Sequence, residues 1–191
     1  MNGSFSNRGL TNFTRPWTAY QTGFGVWSGE YWMGLEKINQ MTTQGSWNLR
    51  IELQGKTDSI WLSVEYDNFV VGSSGTKYRL QVSTYCWGDA PNVLNNLGSN
   101  NQNGMMFTTY DFDNDRFSGN CANVHAGGFW YNSCFGLNVN GNYNELKFGY
   151  VLKLPPFPDQ PVVTASTTRM MMKRIAIVHS VPFLICKRTL K

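Results

Sequence analysis

Three aspartates in alternate positions are the most specific chemical signal in the sequence. They fall in the segment TYDFDNDRFSGNCA, residues 109–122, and are Asp111, Asp113 and Asp115. Clustered carboxylates repel one another unless a cation neutralises them, and hard cations such as Ca²⁺ prefer several oxygen ligands. The spacing is not that of an EF-hand, because the sixth position counted from Asp111 is Arg116 and the twelfth is Ala122. The residues alone leave two interpretations open, a cation-binding loop and an acidic surface turn.

The cysteines also have a spacing that could carry chemistry. Cys121 and Cys134 frame a short loop that contains His125. A disulfide closing such a loop would stabilise the fold by about 3 kcal/mol in the chain-entropy model. A Cys-His-Cys zinc site is the alternative, although it lacks a fourth ligand and the close Cys-x-x-Cys spacing. Cys86 and Cys186 have no evident partners, so we expect ordinary thiols there.

Catalytic machinery is hard to assemble from these residues. The chain has two histidines, His125 and His179, and it contains no nucleophile elbow, P-loop or HExxH motif. Asp111 and Asp115 could be imagined as a glycosidase pair, but neither lies in the apolar surroundings that keep one carboxyl protonated. We therefore expect a protein that is not an enzyme.

The composition is typical of a globular, turn-rich protein. Of the 191 residues, 41% are hydrophobic, 15% aromatic and only 15% charged, which argues against intrinsic disorder. The 19 glycines favour a fold with many turns. No run of 18 apolar residues occurs, so we expect no membrane-spanning helix.

Charge is distributed unevenly along the chain. Residues 1–146 carry eight Lys or Arg against eleven Asp or Glu, whereas residues 147–191 carry eight against one. The basic end lacks the interleaved aromatic residues of a single-strand binder, so we expect a solvated tail and no nucleic-acid partner.

Two N-glycosylation sequons, Asn2-Gly3-Ser4 and Asn12-Phe13-Thr14, hint at a secreted glycoprotein. The first ten residues have no apolar core of the kind found in a signal peptide. The sequence leaves open whether a leader and an upstream segment precede it.

The elements that must position these residues follow from the hydrophobic pattern. Residues 15–43 predict two short helices, the first ended by glycine. Apolar residues then alternate over 49–53, 60–66 and 78–84, which predicts three antiparallel strands with one wet face. Residues 88–145 are rich in Asn, Gly and Asp and predict ordered loops, which at this length are usually functional or held by a metal. A proline-rich link at 155–161 precedes a last candidate strand.

A series of motifs runs through the chain in a recognisable order. In sequence order they are RPWTAYQTGFG…SGEYWMGLEKI, LRIEL, EYDNFVVGSSGTKYRL, NGMMFTTYDFDND, NCA, GGFWYNSC and NVNGNY. From about Asn12 to Tyr143 the chain resembles fibrinogen-related C-terminal domains, the module of fibrinogen chains, ficolins, tachylectins, angiopoietins and tenascins. A weaker similarity covers residues 166–175. The resemblance implies an α+β fold, with a twisted antiparallel sheet, short helices and a loop-rich subdomain that binds calcium and a ligand.

The resemblance assigns roles to several of the residues singled out above. It places the calcium ligands on the side chains of Asp113 and Asp115 and on the carbonyls of Phe117 and Gly119, with Asp111 as a supporting neighbour. It implies a disulfide between Cys121 and Cys134. It also implies a cis peptide between Ser133 and Cys134, which shapes the ligand pocket.

The ligand pocket departs from the family pattern. The residues that the resemblance places there are His125, Tyr131, Ser133, Cys134, Phe135 and Tyr143. Phe135 stands where acetyl-binding members often have histidine, and His125 stands where some fibrinogen chains have an acidic residue. No Trp occurs after Trp130, and the family's first strands, with a cysteine pair and a GGGWT motif, are missing. We therefore expect an altered pocket with weak or absent acetyl binding.

The resemblance also divides the chain. The expected parts are an N-terminal extension (1–14), a partial domain (15–175) and a basic, apolar tail (176–191). Within the domain we expect the central sheet at about 15–87, the loop-rich subdomain at about 88–154 and a closing strand at about 164–175.

The function we expect is that of a secreted, extracellular, calcium-binding recognition module of lectin-like or pattern-recognition type, acting in innate immunity. Its partner would be a glycan, a peptide or a cell-surface protein. The alternatives are a matrix or adhesion module, an angiopoietin-like receptor-binding module, and a truncated fragment without independent function. A homo-oligomer would form through the missing upstream segment.

Overall fold

The computed structural model describes residues 3–7, 11–55, 59–83, 85–90, 92–95, 100–141, 147–148 and 163–175. The helices are α1 (Trp17–Thr22), α2 (Leu35–Thr43) and α3 (Cys121–Val124), with a 3₁₀ turn at Ser74–Thr76. The strands are β1 (Gly3–Asn7), β2 (Phe24–Gly25), β3 (Tyr31–Trp32), β4 (Trp47–Gly55), β5 (Trp61–Tyr66), β6 (Val70–Val71), β7 (Leu80–Gln81), β8 (Tyr85–Gly88), β9 (Leu137–Asn138), β10 (Lys147–Phe148) and β11 (Val163–Arg174).

A seven-stranded antiparallel sheet forms the centre of the fold. Its order is β8-β5-β4-β11-β10-β9, and β1 pairs with β11 along the same edge as β10. Strands β4 and β11 pair along almost their whole length, from Trp47 opposite Arg174 to Gly55 opposite Ala165. Two small hairpin-like pairs, β2-β3 and β6-β7, stand apart from this sheet. The predicted α+β fold with an antiparallel sheet and short helices is confirmed.

Strand β4 has the alternation expected of a strand with one buried face. Every second residue, from Trp47 to Gly55, is buried, and the residues between them are half-buried. On the half-buried face, Arg50 donates to Glu52 at 2.8 Å and to Glu65 at 3.0 Å. Opposite charges on neighbouring strands support the pairing register, while the apolar face supplies the core.

The third expected strand differs from the prediction. Lys77 and Tyr78 both adopt positive φ, at 55° and 49°, so the backbone is not extended there. Only Leu80–Gln81 forms a strand, and it pairs with β6 rather than with the central sheet. The place beside β5 is taken by β8 instead.

Both helices predicted for residues 15–43 are present. Helix α1 ends at Gly23, whose φ of +98° suits glycine and whose N–H donates to the Ala19 carbonyl at 2.8 Å. Helix α2 buries Leu35 and Ile38 on one face. None of the helices in the described residues has the length and apolar character needed to cross a membrane.

A cluster of aromatic rings joins the helices to the loop-rich half of the molecule. The ring of Phe107 lies 5.1 Å from Tyr20 and 5.1 Å from Trp130, and all three are fully buried. The Tyr20 hydroxyl donates to the Phe13 carbonyl and accepts from the Gly128 N–H. Gly128 is required here, because a Cβ would lie 2.7 Å from the Tyr20 ring. Burial raises the pKa of Tyr20 far above its usual range. This packing fixes the loops from which the candidate site is built.

Several sequence-based expectations concern residues outside the described part of the chain. They are the sequon at Asn2, the pocket residue Tyr143, the proline-rich link, the cysteine at position 186 and the tail from 176 onwards.

Candidate functional site

The aspartate loop is organised around the Asp115 carboxylate. One of its oxygens accepts from the Phe117 N–H at 2.9 Å, and the other accepts from the Cys121 N–H at 2.8 Å. Both bonds run to backbone groups further along the chain, so the side chain folds residues 115–121 into a tight loop. Because Cys121 is the first residue of α3, Asp115 also lies at the start of that helix.

The carboxylates of Asp113 and Asp115 repel each other. Partial burial and the nearby Asp113 carboxylate raise the pKa of Asp115, against the opposing effect of its two backbone hydrogen bonds. Asp113 is exposed and accepts from the Asp115 N–H at 3.2 Å. Neither carboxylate forms an ion pair with a described residue. A cation between them would therefore relieve a repulsion that no ion pair among the described residues offsets.

Two backbone carbonyls complete the oxygen donors that the resemblance assigned to this loop. Phe117 and Gly119 are both exposed, and no described residue donates a hydrogen bond to either carbonyl oxygen. Nowhere in the described residues, this loop included, do three His, Cys, Asp or Glu side chains gather into a metal-binding group, so the backbone carbonyls would have to supply the remaining ligands. Two carboxylates and two free carbonyls are hard oxygen donors that suit Ca²⁺ with water completing its shell. These four residues could hold such an ion.

Asp111 has a different structural role. One of its oxygens accepts from the Trp17 N–H at 2.9 Å and from the Thr109 hydroxyl at 2.8 Å. Trp17 is the first residue of α1, so the carboxylate satisfies a free N–H at the helix start. Asp111 thereby ties the aspartate loop to the N-terminal helix.

The cysteine pairing inferred from the resemblance is present. Cys121 and Cys134 form a disulfide with their Cα atoms 5.5 Å apart, and the Ser133–Cys134 peptide is cis. The disulfide consumes both thiolates, so the Cys-His-Cys zinc alternative is wrong. The expectation that Cys86 is an ordinary thiol is also wrong, because Cys86 is disulfide-bonded as well. Sequence reasoning missed this because no nearby cysteine marks the bond.

The residues around the disulfide form an aromatic rim. His125 directly follows the short helix α3 as its C-cap, and its N–H donates to the Cys121 carbonyl at 2.9 Å. Its ring meets Phe135 edge to face with centroids 4.7 Å apart. His125, Phe135 and Cys134 are half-buried and Ser133 is exposed. The structure thus brings together four of the six predicted pocket residues at an accessible surface, hereafter the His125–Phe135 rim.

Tyr131 lies behind this rim. It is fully buried, its hydroxyl donates to the Gly127 carbonyl at 2.7 Å, and its ring centroid is 6.1 Å from that of Phe135. Burial raises the pKa of Tyr131 well above its usual range. Tyr131 therefore supports the rim from inside and keeps its hydroxyl proton.

Two connections link the rim to the aspartate loop. The first combines a hydrogen bond and a disulfide: the Asp115 carboxylate accepts from the Cys121 N–H, and Cys121 is bonded to Cys134 beside Phe135. The second runs through the backbone, where the Arg116 N–H donates to the Asn132 carbonyl at 2.9 Å. The aspartate loop and the rim are therefore in direct structural contact.

Sequence reasoning missed Gln102, a buried side chain that fixes the strand after the rim. Its amide group donates to the Trp130 and Leu137 carbonyls at 3.0 Å, and its oxygen accepts from the Gly136 and Leu137 N–H groups. All the polar atoms of a buried amide are therefore satisfied. A single Gln in an Asn-rich loop carries no pattern that could have identified this role.

Comparison with known proteins is consistent with this geometry. Residues 5–150 match the family model for the C-terminal globular domain of fibrinogen beta and gamma chains. Fibroleukin of Bos taurus is 40% identical over 141 residues, which are 73% of this chain and 32% of that protein. Tenascin of Mus musculus is 38% identical over 137 residues, 72% of this chain and 6% of that protein. The chain therefore spans a third or less of these relatives.

Solved structures show the same architecture. The fibrinogen-like globe domain of human ANGPTL6 superimposes with a TM-score of 0.76 at 29% identity, over 91% of this chain and 77% of that one. A lamprey fibrin D-dimer complexed with the peptide Gly-His-Arg-Pro-amide also gives a TM-score of 0.76, at 27% identity over 96% and 65% of the two chains. The fold, the matched residues and the sequence identity agree, and fibrinogen C-terminal domains are non-catalytic binding modules. The chain belongs to the family of fibrinogen C-terminal globular domains.

Proposed function

We propose that this chain is a secreted recognition module of lectin-like, pattern-recognition type, which binds Ca²⁺ in the aspartate loop and a ligand at the His125–Phe135 rim. The observation that carries the proposal is the connection from Asp115, through its hydrogen bond to the Cys121 N–H and the Cys121–Cys134 disulfide, to the rim. It makes an ion in the loop and a ligand at the rim parts of one unit. The disulfide bonds at Cys121, Cys134 and Cys86 and the sequon at Asn12 support an oxidising, extracellular setting.

Calcium would be held by the side chains of Asp113 and Asp115 and the carbonyls of Phe117 and Gly119. The ion would cancel the repulsion between the two carboxylates, which partial burial makes more costly. With only two charged ligands and an exposed position, we expect the modest affinity of an extracellular site. The ion's part is to order the loop, since the family is not catalytic.

The chemistry of the rim favours a ligand with an apolar group. Phe135 offers a half-buried ring without a hydrogen-bond donor, and His125 lies against its edge. An acetyl group needs a donor for its carbonyl oxygen as well as a slot for its methyl. Losing one such partner costs about 1–3 kcal/mol, which is enough to remove a weak monovalent sugar contact. We therefore expect non-acetylated or peptide ligands rather than N-acetylated sugars.

A glycan array tests the lectin-like function directly. The disulfide-intact protein is applied in calcium and in chelator, together with Asp113→Ala and Phe135→His. We expect calcium-dependent binding to non-acetylated structures by wild type, loss in Asp113→Ala, and a gain on N-acetylglucosamine in Phe135→His. Binding that is equal in calcium and chelator would reject the coupling, and strong wild-type binding to acetylated sugars would reject the argument from Phe135.

A protein-binding role is the second candidate, as a matrix, adhesion or receptor-binding module. Its support is the similarity to a tenascin and to the ANGPTL6 globe domain, together with the peptide bound in the lamprey structure. The rim would then accept a peptide or a protein loop. Titration of Gly-His-Arg-Pro-amide, followed at the Phe135 amide by NMR, distinguishes this candidate. Saturable peptide binding with an empty glycan array would favour it, and the reverse pattern would favour the lectin.

A further inference from the structure

A cleft lined by aromatic rings opens between the β2–β3 hairpin and helix α2. Its volume is about 550 Å³, within the range of small-molecule sites. Its apolar walls are Phe24, Trp27, Tyr31 and Met41, and none of its lining residues belongs to the aspartate loop or the His125–Phe135 rim. It is therefore a second concave surface, separate from the site proposed above.

The hairpin holds Trp27 outside the core. Gly25 has a φ of +86°, and a Cβ there would collide with the Glu30 carbonyl, so the chain turns sharply at this point. The Val26 N–H then donates to the Glu30 carbonyl at 3.0 Å. Trp27 is left 71% exposed, with its ring centroid 4.9 Å from that of Tyr31. A large aromatic ring supported on one side and open to solvent is a ready stacking surface.

The polar side chains of the cleft include a cation and several hydrogen-bond donors. Lys37 and Gln40 lie one turn apart on α2 and both line the cleft. Lys37 forms no ion pair with a described residue, and no Asp or Glu lines the cleft. Trp27 adds an indole N–H, which can only donate. A positive charge and neutral donors thus surround a flat apolar wall.

We infer that this cleft binds a carboxylated pyranose sugar of the uronic acid type. The C–H face of a pyranose ring is flat, apolar and similar in size to the exposed Trp27 ring, on which it can lie. The sugar carboxylate pairs with the Lys37 ammonium, and the hydroxyls exchange hydrogen bonds with the Gln40 amide. A fatty acid would contact the apolar walls and pair with the Lys37 ammonium, but it has no hydroxyl groups to hydrogen-bond the Gln40 amide. A neutral sugar would have no carboxylate to pair with Lys37.

The test is a titration of the disulfide-intact protein with methyl β-D-glucuronide and with its neutral counterpart, methyl β-D-glucoside, in chelator. Neither sugar carries an acetyl group, and the chelator removes calcium from the aspartate loop. Because the function proposed above requires calcium, this titration tests the cleft independently of it. We expect the glucuronide to bind about ten-fold more tightly, as suits one charge-assisted hydrogen bond. Amide shifts in NMR should map to the hairpin and α2.

Two variants and a matched control locate the binding. Trp27→Ala should abolish the shifts for both sugars, and Lys37→Gln should reduce glucuronide affinity to that of the glucoside. Lys173→Gln removes an exposed lysine from β11 and should change nothing. Trp27 and Lys37 are exposed, so unchanged melting temperatures will show that both variants are folded.

Three results would overturn the inference. They are equal affinities for the two sugars, glucuronide binding that survives both cleft substitutions, and absence of wild-type binding at tens of millimolar. A Glu-rich peptide is the rival occupant of the same chemistry. Lys37-dependent binding of that peptide without glucuronide binding would assign the cleft to acidic peptides and reject the sugar.

Discussion

Replacing Asp115 with alanine should have two separable effects on stability, one without calcium and one with it. In chelator, the substitution removes the acceptor for the Cys121 and Phe117 N–H groups. Cys121 is fully buried, so its N–H is left unsatisfied, whereas the exposed Phe117 can turn to water. An unsatisfied buried donor costs about 1–3 kcal/mol.

The net loss in chelator should lie in the lower part of that range. The Asp115 carboxylate is only partly buried, and its removal also ends the repulsion by Asp113. We expect a loss of about 1–2 kcal/mol, which for a domain of this size is a fall in melting temperature of about 2–8 °C. Asp113→Ala should lower the free energy of unfolding by no more than about 0.5 kcal/mol, because Asp113 is exposed and accepts a single hydrogen bond of 3.2 Å.

In calcium the two variants should behave alike. Calcium at a hundredfold above its dissociation constant stabilises the wild type by about 2.7 kcal/mol. Both substitutions remove a charged ligand, so each should abolish this rise, whereas Asp111→Ala should weaken it without removing it. Glu36→Ala, an exposed carboxylate on α2, is the control and should keep the full rise.

Differential scanning calorimetry of the five proteins in calcium and in chelator measures all of these quantities. Identical wild-type curves in the two buffers would reject the calcium site. A full calcium response in Asp113→Ala would reject the assigned ligands. Equal destabilisation of the two variants in chelator would refute the structural role given to Asp115.

Four further predictions concern other parts of the molecule. Burial raises the pKa of Tyr66 to about 12, so the unfolded chain loses this phenol proton first and the free energy of unfolding should fall as the pH rises from about 10 to 12. The Tyr66 hydroxyl also accepts from two backbone N–H groups, so Tyr66→Phe should lower the free energy of unfolding by about 1–3 kcal/mol at pH 7, measured by calorimetry. Asn12 is exposed, so expression through a secretory pathway should add one glycan there, seen as a mass shift that Asn12→Gln removes. Wild type should pass through an immobilised N-acetylglucosamine column in calcium, while Phe135→His should be retained; the opposite order contradicts the pocket argument. Non-reducing peptide mapping of secreted protein should find no free thiol at Cys86 or Cys134, and alkylation of either would contradict the two disulfide assignments.

The sequence pattern predicted structure best where the conformation of an element depends only on its own residues. The alternation in β4 predicts a strand with a single buried face, and glycine after α1 predicts where that helix ends, because both effects depend on neighbours in sequence. The prediction of the third strand was wrong because the backbone there depends on residues that are distant in sequence. Positive φ at Lys77 and Tyr78 is imposed by tertiary packing, since Tyr78 is buried and its carbonyl accepts from the Trp130 indole. No propensity of these residues predicts it.

The candidate site shows a similar division. The acidic loop was visible because three aspartates in alternate positions form a local pattern, and the family motifs supplied the cysteine pairing. The support from Gln102 and the aromatic cleft were not visible. Gln102 works through partners 28 and 35 residues away, and the cleft exists only when the hairpin folds against α2. Contacts of this range leave no local pattern.

The measurement that tests the central claim most directly is an NMR titration of calcium into the ¹⁵N-labelled protein. Because the aspartate loop is joined to the rim through Cys121 and Cys134, the amide signals of Phe117, Cys121 and Phe135 should shift along one saturation curve. Asp113→Ala should abolish all three shifts. Shifts at Phe117 and Cys121 without any at Phe135 would contradict the coupling of calcium to ligand recognition, and no shift at any of them would contradict calcium binding itself.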